Sequence, residues 1–281
     1  MPGELVAVEG ARRLHVLCKG PEQGPTVIFE AGLSPFPANS AYAKVQALIA
    51  PFARVCSYDR AGLGWSDPAP PGRNIPDLAD DLHRLIEAAR VPGPYILVGH
   101  SMGGLIVRSY VTKHPGSVAG VVLADASSET LFTTASAASR DKSVADIDAA
   151  LKTATPGVPV IALPPGADPM IAFSLLPEIL ATQREENFAV SRSPPSMLKP
   201  QGFGTLGDIP LIVIRRGLAA NPPSATDTAW RAAQEQMTAL STNSRLIVAE
   251  RSGHVIPFDR PDVVADAVRS VIEAARSGGR P

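Results

Sequence analysis

The chain reads as an α/β protein built on a mostly parallel, doubly wound sheet, and three observations predict this. Short runs rich in β-branched residues are apolar throughout rather than alternating, as parallel strands buried on both faces are. Longer amphipathic stretches separate them, giving the β-α rhythm of a sheet covered by helices on both sides. A length of 281 residues suits one large α/β domain, or one domain with an insertion, and leaves ample apolar material for a core.

Strands are expected at LHVLC (14–18), TVIFEA (26–31), RVCSYD (54–59), YILVGH (95–100), GVVLAD (120–125), PLIVIR (210–215) and RLIVAE (245–250). Helices are expected at DLADDLHRLIEAA (77–89), AWRAAQEQMTAL (229–240) and DVVADAVRSVIEAA (262–275). In the first of these, Leu78, Leu82, Leu85 and Ile86 recur at helical spacing and form one apolar stripe. The rhythm breaks once. Between Asp125 and Pro210 about 80 residues carry no β-α unit, far more than an ordinary connection. The stretch is rich in Ala, Ser and Pro, yet it holds Leu131, Phe132, Met170, Phe173, Leu175, Leu176, Phe188 and Met197. So many large apolar side chains do not suit disorder. The segment reads as an inserted, largely helical lid, with the proline runs VPVIALPPGADP and SRSPPS as hinges and irregular turns. Residues 1–126 and 208–281 would then form the core, and 127–207 the lid.

Composition excludes some partners. A formal net charge of -1 offers no concentrated positive face, which argues against nucleic acid or an anionic membrane surface. No window approaches the apolar run of about 20 residues that spans a bilayer. The opening MPGELVAVEGARRLHV has no apolar run of the secretory kind, so a soluble, cytoplasmic protein is expected. Cys18 and Cys56 are too few for a disulfide framework or a zinc site, and both are expected as buried free thiols.

The most specific local signal is YILVGHSMGGLIVRSYV (95–111). A buried strand ends at Gly99-His100-Ser101-Met102-Gly103 and a helix follows at once. In such a G-x-S-x-G turn the serine takes a strained backbone conformation, and glycines two residues either side let strand and helix approach. The turn presents the Ser101 hydroxyl at the carboxyl end of the sheet, where it can act as a nucleophile. It also leaves the Met102 amide at a helix N-terminus, facing developing negative charge.

With this elbow, the sequence resembles the α/β-hydrolase superfamily, and specifically its serine esterases and lipases. YDRAGLGWSDP (58–68) resembles the loop after the strand preceding the elbow helix, and RSGHVIPFDRPDVVADAV (251–268) resembles the histidine loop and final helix. The resemblance implies the α/β-hydrolase fold, with an eight-stranded sheet in the order 1-2-4-3-5-6-7-8. It also implies a Ser/His/acid triad and a lid inserted after the sixth strand.

A serine needs a base, and histidine suits neutral pH. Of the five histidines, His15, His83 and His114 are expected to be structural, and His100 to point into the core. His254 stands in a polar loop in the position the family uses and is the expected base. Where the family commonly carries His-Gly after the third strand, this chain has FEAGLSP (29–35), with Ala31 at the histidine position and Gly32 retained. A backbone amide supplies the bond there, so Leu33 and Met102 are the expected oxyanion donors. Glu30 is expected to pair with an arginine such as Arg60.

The acid is harder to place. Family members usually carry an aspartate after the seventh strand, but RRGLAANPP offers Ala220 and Asn221 instead. Asp227 lies where it would cap the next helix, and Asp208 precedes the strand at the wrong end of the sheet. Asp125 ends the sixth strand, beside the nucleophile strand, at the edge where open α/β sheets gather their sites. Relatives of haloalkane dehalogenases carry the acid there. Asp125 is therefore the expected acid, and Asp227 the alternative.

A serine nucleophile implies acyl transfer through an acyl-enzyme, and argues against the dehalogenases and epoxide hydrolases, which attack with aspartate. The lid has no obvious cluster of arginines or lysines, so the expected partner is a small, uncharged, moderately hydrophobic ester, thioester or lactone. No cofactor or metal is implied. Competing readings are a lactonase, carbon–carbon hydrolase, peptidase or perhydrolase using the same residues, and a hydrolase-fold sensor with little turnover.

Overall fold

The apolar runs form one eight-stranded sheet in the order β1-β2-β4-β3-β5-β6-β7-β8. This is the order that the family resemblance implies. The computed structural model describes residues 1–37, 42–132, 135–161, 164, 166, 169–219 and 222–281. Ala220 and Asn221 lie outside them, as does part of the proline run VPVIALPPGADP.

The chain enters through β1 (Glu4–Glu9) and β2 (Arg12–Lys19), continues through β3 (Thr26–Glu30) and α1 (Ala43–Ile49), and reaches β4 (Val55–Tyr58). Next come α2 (Ile75–Ala88), β5 (Tyr95–His100), α3 (Gly103–Lys113) and β6 (Val118–Ala124). Helices α4 (Ala135–Leu151), α5 (Pro169–Ser174) and α6 (Pro177–Glu186) then precede β7 (Leu211–Arg216). The chain closes with α7 (Ala225–Met237), β8 (Ser244–Ala249), α8 (Ile256–Asp259) and α9 (Pro261–Ser277). The pairs β1·β2 and β2·β4 are antiparallel, and the rest of the sheet is parallel. β1 was not among the expected strands. Its residues ELVAVE carry charge at both ends and none is fully buried, so this antiparallel edge lacks the apolar run that marks the interior strands.

Alternation explains why the central strands are apolar throughout. Leu97, Val121 and Leu123 join the core under α2 and α3, while Ile96, Val98 and Val122 join the core under α1 and α9. Gly120 lets α9 approach, since a Cβ there would lie 2.2 Å from a Val271 methyl. Helix α2 starts where its sequence directs. Asn74 and Asp77 form a capping box, and Leu78, Leu82, Leu85 and Ile86 are buried as the stripe requires.

Between β6 and β7 the chain is helical and is tied to the sheet by buried charge. Arg108 on α3 donates to both oxygens of Glu129, at 2.6 and 2.7 Å, and to the Gly204 carbonyl at 3.1 Å. One arginine thus grips both roots of the insertion. Arg60 grips α6, donating to Glu186 at 2.7 Å through Nε and through Nη2. Phe173 stacks on Trp65 of the core at 5.7 Å between ring centroids. SRSPPS falls in turns and bends.

Two sequence-based expectations need correction. Cys18 and Cys56 are not free thiols but a disulfide. They face each other in the antiparallel β2·β4 ladder with Cα atoms 4.1 Å apart. That pairing joins residues 38 apart, which reading each cysteine in its own strand did not anticipate. The insertion also does gather arginines. Arg140, Arg184 and Arg192 all lie over the Phe188 ring, 5.3 to 5.8 Å from its centroid. Folding brings them together from separated positions, and each pairs with an acid: Asp141, Asp148 and Glu185 respectively.

Candidate active site

At the end of β5 the backbone turns so sharply that Ser101 takes φ +52°. A non-glycine residue in that left-handed region costs on the order of 1–2 kcal/mol, which the surrounding packing must hold. The glycines around it have a steric cause. A Cβ on Gly99 would lie 2.8 Å from Gly104 Cα, and one on Gly103 would lie 2.3 Å from the Glu30 carbonyl oxygen. Gly32, across the turn, would place a Cβ 2.9 Å from both Ser101 Cβ and His100 Nδ1. Larger residues at these positions would push the loops off the serine.

Three of the expected site residues meet. His254 Nε2 is 3.0 Å from Ser101 Oγ, and His254 Nδ1 is 2.7 Å from Asp125 Oδ2. With the proton on Nδ1, His254 donates to Asp125 and accepts from the serine hydroxyl. Asp125 is fully buried and takes φ +43° immediately after β6, while the His254 side chain is 37% exposed. The imidazole is therefore reachable and its carboxylate partner is shielded.

Asp227 does not reach His254's ring nitrogens. It caps α7, where its Oδ2 accepts from the Ser224 hydroxyl at 2.7 Å and its amide donates to Ser224 Oγ at 3.0 Å. That is the capping role its position suggested. Asp208 is exposed before β7, at the far end from the elbow.

The Leu33 and Met102 amides, expected to face an oxyanion, donate to no backbone carbonyl or side chain among the described residues. Met102 stands at the N-terminus of α3, where unpaired amides and the helix dipole favour negative charge. Arg60 fixes the loop that carries Leu33. Its guanidinium donates to the Ala31 and Gly32 carbonyls at 2.7 and 2.9 Å, and to Glu30 at 2.9 Å. Glu30 also accepts from the Tyr58 hydroxyl. Burial pushes the Glu30 carboxyl up to about 7 despite the adjacent Arg60 charge.

The remaining histidines sit elsewhere. His15 lies against Asp59 at 2.9 Å inside the sheet edge, and His83 stacks on His114 with ring centroids 3.8 Å apart. His100 is buried, as expected, and Nε2 donates to the His254 carbonyl at 2.9 Å. Burial, reinforced by His254, lowers it to about 4, which keeps it a neutral donor under the histidine loop.

Sequence reasoning missed two neighbours of this chain of bonds. Arg216, the last residue of β7, donates to Asp125 from its amide and from Nη1, both at 3.1 Å. Trp230 on α7 meets the His254 ring edge-to-face, with centroids 5.1 Å apart. The signal for Arg216 lay in RRGLAANPP, a charged residue at the carboxyl edge of the strand next to Asp125. Among the described residues no group of histidine, cysteine and acidic side chains is arranged to hold a metal ion.

The α/β hydrolase family model matches residues 27–267, and the chain belongs to that family. The Bacillus subtilis protein YqjL is 24% identical over 274 residues, covering 95% of this chain and 91% of that one. An uncharacterized Schizosaccharomyces pombe protein is 37% identical over 84 residues, which are 30% of this chain but only 16% of that one. A thermophilic esterase from Thermogutta terrifontis aligns with a TM-score of 0.67 at 19% identity, covering 99% of this chain and 100% of that one. At that identity the likeness shows the fold.

Proposed function

We propose that the protein is a serine hydrolase of uncharged, moderately hydrophobic carboxylic esters, thioesters or lactones, acting through an acyl-enzyme. The observation that carries this reading is the unbroken path of hydrogen bonds from the elbow serine through His254 to Asp125. The esterase named among the fold neighbours agrees with it.

In this reading Ser101 Oγ attacks the ester carbonyl while its proton passes to His254 Nε2. The imidazolium is stabilised by Asp125, which accepts from Nδ1 and stays ionised. The oxyanion is met by the Leu33 and Met102 amides, which need no reorganisation because neither is engaged among the described residues. Collapse of the intermediate breaks the bond to the leaving group, which takes the proton from His254. Water then enters, gives its proton to His254 and attacks the acyl carbon, and the acid product leaves with Ser101 Oγ–H restored. Residues 127–207 would act as the lid over this site. Their arginines are neutralised by acids, which keeps the expectation of an uncharged substrate in place.

The composition suggests a cytoplasmic protein, and among the described residues no helix is long and apolar enough to cross a membrane. The Cys18–Cys56 bond argues the other way, because disulfides persist chiefly in oxidising compartments. Alkylating thiols before cell lysis and counting them by mass decides between the two.

The test of the activity is a p-nitrophenyl ester series of increasing acyl length. Turnover is expected with short to medium chains. An absence of turnover across esters, thioesters and lactones would overturn the reading.

A further inference from the structure

Asp125 Oδ2 is shared between two donors, His254 Nδ1 at 2.7 Å and Arg216 Nη1 at 3.1 Å, while Oδ1 accepts the Arg216 amide at 3.1 Å. One residue therefore holds both oxygens of the carboxylate that meets the histidine. The other arm of the same guanidinium, Nη2, donates to Asp227 Oδ1 at 3.1 Å. Asp227 is itself fixed in the cap of α7 by Ser224. The guanidinium also lies over the Trp230 ring, 5.2 Å from its centroid, and Trp230 in turn meets His254. Arg216, Asp125, His254 and Trp230 close a ring, with Asp227 as its outer counter-charge.

From this geometry we infer that Arg216 is a positioning residue with an electrostatic role. It fixes the Asp125–His254 bond and, balanced by Asp227, controls how much of the Asp125 charge is left to stabilise an imidazolium at His254. The inference rests on the serine-hydrolase reading only for its importance to catalysis, since the titration of His254 can be followed without turnover.

The sign follows from charge. A cation bonded to Asp125 withdraws part of the negative field that stabilises the imidazolium. Asp227 counters that cation and works in the opposite direction. Most of the other charged and titratable groups around the ring are neutral or have partners of their own among the described residues. His100, with its ring centroid 5.0 Å away, is lowered to about 4 and stays neutral. Arg215 turns to the Arg216 carbonyl, and Arg231 pairs with Glu235. Asp259 accepts from the Gly253 amide at 2.8 Å, and Glu250 lies against Gly217.

The experiment is an NMR titration of the histidine rings in the full chain, with His254 assigned by its loss in a His254→Ala sample. Wild type is compared with Arg216→Gln, Arg216→Lys and Asp227→Asn. In parallel, the rate of Ser101 modification by a fluorophosphonate is measured against pH. Removing the Arg216 charge should carry the His254 transition to higher pH, because the full Asp125 field then acts on the imidazolium. Asp227→Asn should carry it to lower pH, and Arg216→Lys should stay closer to wild type than Arg216→Gln does. The acid limb of the labelling rate should follow in each case. A purely structural role predicts no such opposed pair. A His254 midpoint that is unmoved, or moves the same way in Arg216→Gln and Asp227→Asn, overturns the proposal. If Arg216→Gln fails to fold, Asp227→Asn decides the matter: a His254 midpoint that does not fall in that variant overturns the proposal. A wild type that titrates as described but takes up no fluorophosphonate would instead sink the serine-hydrolase reading and leave the Arg216 role standing.

Discussion

His254 and Asp125 meet at 2.7 Å across 129 residues of sequence. The contact places the histidine's carboxylate partner at the end of β6, while the aspartate after β7 is spent on a helix cap and on Arg216. The two carboxylates should therefore respond differently to loss of charge.

Asp125→Asn should lower kcat/KM by about 10^3–10^4-fold, because an amide cannot hold the required tautomer or stabilise the imidazolium. Asp227→Asn, compared at the pH plateau, should stay within about threefold of wild type, since a cap costs stability of about 1 kcal/mol and not chemistry. Steady-state kinetics on a p-nitrophenyl ester, with folding checked by circular dichroism, separates the two.

Glu30 should make stability fall as pH rises from about 4.5 to 7. Its folded pKa lies above the unfolded value. The native state therefore holds a proton that the unfolded chain releases, and the stabilisation is complete below the unfolded pKa and lost through about 7. Urea unfolding of wild type and Glu30→Gln at pH 5 and pH 8 checks this. Glu30→Gln is expected to be the less stable at pH 5, with the gap narrowing by roughly 1–3 kcal/mol at pH 8. A gap that widens with pH would refute it.

The Arg108–Glu129 pair is buried on both sides and charge-assisted at both oxygens. Arg108→Met leaves Glu129 without its partner and should cost about 3–5 kcal/mol. Replacing both, as Arg108→Met with Glu129→Leu, should recover part of that loss. Chemical denaturation of the single and double variants reads the difference.

The Cys18–Cys56 bond closes a loop of 38 residues, so serine at both positions should lower stability by about 3–4 kcal/mol. Calorimetry of the oxidised protein against the double-serine variant tests the size. Thiol alkylation without reductant should label neither cysteine.

Much of the architecture was legible because the parallel strands are apolar on both faces and the elbow glycines are demanded by backbone contacts within 3 Å. Ser101 and His254 could be located from local sequence. Asp125 followed from what RRGLAANPP lacks. Arg216 and Trp230 were not legible, because their meaning depends on β7 and α7 packing beside β6. The Cys18–Cys56 pairing was hidden for the same reason, since it exists only once β2 and β4 are adjacent. The arginines around Phe188 become neighbours only when α4 and α6 pack together.

The acyl-enzyme reading is tested most directly by pre-steady-state hydrolysis of p-nitrophenyl butyrate by wild type and Ser101→Ala at equal concentrations of folded protein. Wild type should release p-nitrophenol with a Ser101-bound acyl adduct visible by mass, and Ser101→Ala should lose at least about 10^4-fold in kcat. Turnover by Ser101→Ala at a rate near wild type, or wild-type turnover with no adduct on Ser101 under rapid quench, would contradict it.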